Sequence, residues 1–195
     1  MTYNRQIMMA KIISLVFSPV LTVGMGMQLL LYFTFDQGWL GWWQLMILSL
    51  VIIYFPLTYF FISIAKGRID ADLTKRQARL RFLVFGLACG FLGLFLSFYF
   101  SAYLFRVFLA LTITALAFVL VTFWDRASIH VGGSTSFYLV LNLLSQWRYF
   151  YLLPIIPLVG WARLFLGKHE TAQIFEGFVI PLIAIPAGFY LLQIT

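Results

Sequence analysis

Long apolar runs recur along the chain and are separated by short segments that contain most of its charged residues. A helix of about 17 to 25 apolar residues is long enough to cross the hydrocarbon core of a bilayer. The pattern predicts these spans: Ile12–Phe35, Trp42–Ala65, Phe82–Ser101, Tyr103–Trp124, Val131–Trp147, Tyr149–Leu166 and Gln173–Ile194. Only a tight turn near residues 101–106 separates the third from the fourth. The sequence therefore predicts an all-α, polytopic transmembrane bundle of six to seven spans.

Small residues and prolines distinguish the last three predicted spans from the others. The fifth is short and begins with the small and polar residues 132–136, which would allow close helix approach, so we expect it to be buried among other helices. Prolines predict kinks in the last two spans, at Pro154, Pro157, Pro181 and Pro186. The chain shows no internal repeat and no low-complexity linker, so residues 1–195 are predicted to form a single integral membrane domain.

The composition excludes an ordinary soluble domain. Hydrophobic residues make up 63% of the chain and charged residues 10%, against about 45–50% and 25% in soluble domains. The mean hydropathy is +0.99. With so few charges, the bilayer must cover most of the surface. The net charge of +7 does not indicate a nucleic-acid partner, because the basic residues lie in short segments between apolar runs.

The distribution of basic residues predicts an orientation. Seven alternating spans place eleven of the 13 lysines and arginines on one side and leave only Arg106 and Arg148 on the other. The positive-inside rule then puts the N-terminus and the basic face in the cytoplasm, which fits a protein of the cell inner membrane. The N-terminal run has no A-x-A-like cleavage site and is interpreted as a retained anchor.

Metal and disulfide chemistry is not indicated. The single cysteine, Cys89, lies within an apolar run and has no partner for a disulfide or a cysteine-based metal cluster. Two histidines are too few for most all-protein zinc sites. The sequence therefore predicts neither a metal nor a cofactor.

The most informative segment joins the last two spans. His169 and Gln173 are four residues apart, so they would share a helix face and hydrogen-bond to each other. Arg163 lies at the end of the preceding helix, and Gly167 permits the turn between them. Amides at a helix start favour a bound phosphate.

A second segment, upstream of the first, also combines an arginine with a histidine. Arg126, Ser128 and His130 offer a basic residue, a hydroxyl and a histidine at the start of the small-residue helix. Phosphoryl transfer through a phosphohistidine requires one histidine as nucleophile, another as general acid and arginines that bind the phosphate.

A third segment, the loop over residues 66–81, lies on the same predicted face. Arg76 and Arg79 at its end are candidate phosphate ligands. For the other basic residues of this loop, a role in topology and lipid-headgroup binding is the favoured interpretation; they are Lys66, Arg68, Lys75 and Arg81.

Two of these segments resemble motifs of the PAP2 (type 2 phosphatidic acid phosphatase) superfamily. Arg163-x5-His169-x3-Gln173 is similar to the family's Ser-Arg-x5-His-x3-Asp. Arg126-x-Ser128-x-His130 is similar to the Lys-x-Ser-x-His of a membrane subgroup. Gln173 replaces the family's aspartate and carries no charge.

The remaining motif of the family is Lys-x6-Arg-Pro, and the loop before the third span matches it only in part. Arg79 occupies the arginine position, Asp72 stands where the lysine would be, and Leu80 replaces the proline. In order and spacing the resemblance covers roughly residues 60–194, which would form a PAP2-like core.

The resemblance implies a role for each candidate residue. His169 would be the nucleophile and His130 the general acid, and Gln173 would orient His169. The phosphate would be bound by Arg163, Arg126, Arg79 and Ser128, and Arg76 is a further candidate ligand that could replace the family's missing lysine.

The leading functional hypothesis is a membrane phosphatase that acts on a lipid phosphate or a prenyl (di)phosphate. The first alternative is a catalytically degenerate PAP2-like protein that binds a phosphorylated lipid. A transporter or scaffold is disfavoured because the chain has no repeat. A non-hydrolytic prenyl-diphosphate enzyme is disfavoured because the only acidic pair is Asp70-x-Asp72. The predicted partners are the phosphorylated lipid and the bilayer, and no motif indicates a protein partner.

Overall fold

A computed structural model describes residues 2–70, 73 and 75–193 of the chain. All regular secondary structure in these residues is helical. The α-helices are α1 (Thr2–Val16), α2 (Pro19–Asp36), α3 (Trp42–Ser49), α4 (Phe55–Ala65), α5 (Arg76–Phe100), α6 (Ala102–Thr122), α7 (Ile129–Leu144), α8 (Ile155–Phe165) and α9 (Thr171–Leu191). A π-helix, Leu50–Tyr54, joins α3 to α4, and a 3-10 helix, Phe150–Leu152, precedes α8.

Five helical segments are long and apolar enough to cross a membrane: Tyr3–Asp36, Trp42–Ala65, Arg76–Phe100, Ala102–Thr122 and Thr171–Leu191. They confirm the prediction of an all-helical integral membrane protein. The fifth and sixth predicted spans form the shorter apolar helices Ile129–Leu144 and Phe150–Phe165. The structure therefore supports five spans by length and composition, and the two additional spans stay a prediction.

Local sequence explains the breaks between these segments. Ser101 has an extended backbone and caps α6 by accepting a hydrogen bond from the Leu104 amide, so α5 and α6 are separate helices. The π-helix ends at Tyr54, two residues before Pro56. Proline has no amide hydrogen to donate to the carbonyl four residues earlier, and one wider turn accommodates this loss.

The chain divides into two compact units. Unit 1 contains Met1–Gly26 and Asp125–Pro186, and unit 2 contains Met27–Trp124 and Ala187–Thr195. Two of the three boundaries fall within α2 and α9, and the third, between Trp124 and Asp125, falls in the segment between α6 and α7. The single domain expected over residues 1–195 stays a prediction.

Unit 2 is built on α5, which packs along α6 and also contacts α3, the π-helix and α4. Aromatic rings are in contact near the beginning of α3 and at the junction of α5 and α6. The ring centroids of Trp39 and Tyr103 are 4.6 Å apart, and those of Trp43 and Phe100 are 5.0 Å apart. Tryptophan and tyrosine are enriched where helices leave a bilayer, so these rings fit an interfacial position.

Unit 1 is built on α8, which packs against α1 and α7. The first half of α7 is buried all round, as the small residues at its start predict. Gly177 permits an even closer approach, between α9 and the start of α7. A Cβ atom at this glycine would lie 2.5 Å from the carbonyl oxygen of Ser128.

Replacing Gly177 by alanine should destabilise unit 1. The added methyl group would meet backbone rather than a movable side chain, so the helices must separate, and such overpacking costs about 1–3 kcal/mol. Thermal unfolding in detergent, followed by tryptophan fluorescence, measures the effect.

Gly86→Ala is the matched control for this substitution. Gly86 also lies within a helix, but a Cβ atom there would meet nothing within 4 Å. The control should be neutral or more stable by about 0.5–1 kcal/mol. Equal loss of stability in both variants would show that the Gly177 contact is not a tight one.

Candidate active site

Three helix ends of unit 1 carry the predicted site residues. Ser128 caps α7, Arg163 lies in the last turn of α8, and His169 lies in the loop between α8 and α9. The Ser128 amide donates a hydrogen bond to the carbonyl oxygen of Gln173 at 2.9 Å. The start of α7 therefore contacts the first turn of α9.

The turn that presents His169 follows from a glycine. Gly167 has a φ of +63°, a conformation that side chains rarely adopt. Its amide bonds to the carbonyl of Leu164, and the Lys168 amide bonds to the carbonyl of Arg163 at 3.0 Å. This is the Schellman pattern that ends many helices, and it sets the direction in which the chain reaches His169.

A chain of side-chain hydrogen bonds links His169 to a carboxylate. Nδ1 of His169 lies 3.0 Å from Oε1 of Gln173, and Nε2 of Gln173 donates to Oδ1 of Asp125 at 2.9 Å. The Glu170 amide also bonds to Oε1 of Gln173, at 3.4 Å. The predicted bond between His169 and Gln173 is confirmed. Because α9 begins at Thr171, His169 makes this bond from the loop and not from the helix.

This arrangement fixes the histidine tautomer. An ionised carboxylate only accepts hydrogen bonds, so the amide nitrogen of Gln173 faces Asp125 and its oxygen faces His169. Nδ1 of His169 must then carry the hydrogen in the neutral ring. The lone pair of the ring is consequently on Nε2, the nitrogen required for nucleophilic attack.

Asp125 is held in its ionised form. It accepts a hydrogen bond from the Arg126 amide, and this bond, with a smaller contribution from Gln173, keeps the pKa of the Asp125 carboxyl below its ordinary value. The stabilisation from these bonds is present at neutral pH and is lost as the pH falls through the lowered pKa. The neighbouring Glu176 side chain is a further, smaller cause of the lowered pKa of Asp125.

The buried arginine of unit 1 has a partner that the sequence did not indicate. Arg163 is 1% exposed, and its Nη1 donates to the hydroxyl of Ser14 in α1 at 2.7 Å. Burying a guanidinium group is costly unless its hydrogens are bonded. A lone serine in an apolar helix gave no signal of this contact, which joins residues 149 positions apart.

His130 and Ser128 are both buried, at 2% and 0% exposure. His130 lies in the first turn of α7, and the Ser128 hydroxyl accepts a hydrogen bond from the Val131 amide at 3.5 Å. The structure thus gives Ser128 a capping role, whereas its predicted role in phosphate binding stays a prediction. Arg126, the other basic residue of this segment, is exposed.

The two remaining candidates, Arg79 and Arg76, belong to unit 2. Arg79 is buried, and its Nε donates to the carbonyl oxygen of Leu73 at 3.3 Å. Arg76 is exposed, and its Nη1 donates to the carbonyl oxygen of Phe123 at 3.2 Å. Their convergence with the residues of unit 1 on one phosphate stays a prediction. Asp72, at the lysine position of the first motif, lies outside the described residues.

The fold and composition define a class, that of all-helical integral membrane proteins. Comparison with protein-family models, with curated proteins and with solved structures finds no match for this chain. Among the described residues, no group of three or more His, Cys, Asp or Glu side chains is placed to hold a metal ion. The geometry of the site therefore provides the structural basis for its chemistry.

Ser14→Ala should weaken unit 1 by removing a hydrogen bond to a buried charge, a loss of about 1.5–3 kcal/mol. The free energy of unfolding in detergent measures it. Ser97→Ala is the matched control, because Ser97 is also buried but bonds only to the carbonyl of Leu94 within its own helix. A loss in Ser14→Ala no larger than in Ser97→Ala would contradict a structural role for the bond to Arg163.

Proposed function

We propose that this protein is a membrane phosphatase that hydrolyses a lipid phosphate or a prenyl (di)phosphate through a phosphohistidine intermediate. The observation that carries the proposal is the 3.0 Å bond between Nδ1 of His169 and Oε1 of Gln173. It leaves the lone pair of a buried histidine on Nε2. The motif spacing that resembles the PAP2 superfamily independently assigns the nucleophile to the same histidine.

The proposed reaction has two steps. Nε2 of His169 attacks phosphorus, so that a P–N bond forms while the P–O bond to the lipid breaks. The leaving oxygen takes a proton from His130, the role that the resemblance to the PAP2 superfamily implies for this residue. Water then gives a proton to His130 and attacks phosphorus, which breaks the P–N bond, releases phosphate and restores both histidines.

Positive charge and helix ends support phosphate binding. Arg163 is buried in the same unit, and its planar group suits phosphate oxygens. The amides that begin α7 and α9 favour an anion. We assign Arg126, Ser128 and Arg79 to phosphate binding on the resemblance, and Arg76 as a substitute for the contact of the family's missing lysine.

The lipid part of the substrate is proposed from the apolar helices. The candidate spans carry many exposed aromatic and aliphatic side chains, which suit contact with acyl or isoprenoid chains. We place the site and the N-terminus on the cytoplasmic side of the inner membrane because eleven of the 13 basic side chains fall on that face in the seven-span arrangement.

A second candidate function is binding of a phosphorylated lipid without turnover. The 2.7 Å bond between Arg163 and Ser14 favours it, because this bond already uses one hydrogen of the guanidinium group. The neutral side chain at Gln173 favours it as well. The two candidates differ in a measurable way, since only the phosphatase releases phosphate.

Purified protein in detergent should release phosphate from phosphatidic acid, phosphatidylglycerol phosphate or a short prenyl diphosphate, with EDTA present. His169→Ala should lower the rate at least about a thousandfold, because it removes the nucleophile. The control is Thr171→Ala, which trims an exposed polar side chain two residues away and should retain the rate.

Each alternative result has a definite meaning. Turnover by His169→Ala at the wild-type rate would rule out the phosphohistidine mechanism. Saturable binding of these lipids by the wild-type protein, without release of phosphate, would overturn the phosphatase and support the binding protein.

A further inference from the structure

We propose that Asp125 is a positioning residue for His169 and acts through the side-chain amide of Gln173. It holds His169 in the Nδ1–H tautomer and places a negative charge two hydrogen bonds from the ring. The effect on the reaction rests on the proposed function, whereas the effect on the tautomer does not. Asp125 matches no motif, and the sequence indicates no role for it.

The neighbours of the Gln173 side-chain amide set its direction. If the Gln173 amide were reversed, its oxygen would face the Asp125 carboxylate at 2.9 Å, and two acceptors would repel each other. Its nitrogen would face the Glu170 amide, so two donors would also meet. The observed direction is therefore imposed from both ends, and the bond to Asp125 is the shorter of the two.

Asp125 is itself held in place by hydrogen bonds. Its carboxylate accepts from the Arg126 amide and from the side-chain amide of Gln173 in α9. The same loop is tied to α9 a second time, by the bond from the Ser128 amide to the Gln173 carbonyl. The loop that carries Asp125 is thus positioned on α9 by independent contacts.

The Gln173 amide can transmit orientation from Asp125 to His169 but not a proton. A primary amide does not pass a proton from the imidazole to the carboxylate, so the positive charge that develops during attack stays on the ring. The charge of Asp125 stabilises it from a distance, and Coulomb attraction weakens as the distance grows. The expected contribution to the rate is about ten- to a hundredfold, less than direct contact with a carboxylate gives in the serine-protease triad.

The tautomer is tested without a substrate. Ring ¹⁵N chemical shifts of histidine-labelled protein in detergent distinguish Nδ1–H from Nε2–H. The chain has two histidines, so a His130→Gln sample assigns the signals. The wild-type protein should show His169 as Nδ1–H, and Gln173→Leu and Asp125→Ala should shift it toward Nε2–H.

Asp125→Asn removes the negative charge of Asp125 but keeps an oxygen that can orient the Gln173 amide. The asparagine oxygen can still accept from Gln173, so most of the Nδ1–H tautomer should remain, while kcat should fall about ten- to a hundredfold with little change in KM. Asp125→Ala should lower kcat further. Asp36→Asn is the matched control, since it removes an exposed carboxylate from the end of α2 and should change neither the tautomer nor kcat.

The two proposals fail in different ways. In one outcome the wild-type protein releases phosphate, while Asp125→Ala and Asp125→Asn leave the tautomer of His169 and kcat unchanged. This result would overturn the role of Asp125 and would still support the phosphatase. An absence of release by the wild-type protein, with a shifted tautomer in Asp125→Ala, would overturn the phosphatase and support the positioning role. If Asp125→Ala does not fold, a normal kcat in folded Asp125→Asn would overturn the contribution of charge.

Discussion

The candidate site depends on the close approach between the start of α7 and the first turns of α9. Gly177 permits this approach, since any side chain there would lie against the backbone of Ser128. The contact orders the loop between α6 and α7 and brings Asp125 within reach of the Gln173 amide. The position of Asp125, through which Gln173 orients His169, therefore depends on a close backbone contact.

Several buried polar side chains of unit 1 are hydrogen-bonded to one another. Arg163 donates to Ser14, and Gln173 bonds to both His169 and Asp125. In a chain with 10% charged residues, such groups are expensive to bury at a membrane and indicate function when they occur together. Because each bond constrains its neighbours, the set specifies a single arrangement more strongly than separate pairs would.

The helices could be predicted from the sequence because their causes are local. Apolar run length gives most of the segments, and Ser101 and Gly167 mark where helices end or begin. The break before Pro19 was not predicted, because the first span was expected to run unbroken from Ile12 to Phe35. Although the structure forms it from the loop before α9 and not within a helix, the bond between His169 and Gln173 was predicted. The partners of Arg163 and Gln173 were not, because Ser14 and Asp125 lie 149 and 48 positions away. Only packing brings such residues together.

In the motif of the PAP2 superfamily one aspartate both orients the histidine and supplies a negative charge. With an amide at position 173, two residues would share these roles. Gln173 orients the imidazole, and Asp125 supplies the charge from farther away. Glu176 already lies near Asp125. A carboxylate at position 173 would face Asp125 as well, and like charges at this distance disfavour ionisation of the group. The neutral side chain of Gln173 is therefore consistent with the two acidic residues around it, and its presence does not mean that the histidine lacks a carboxylate.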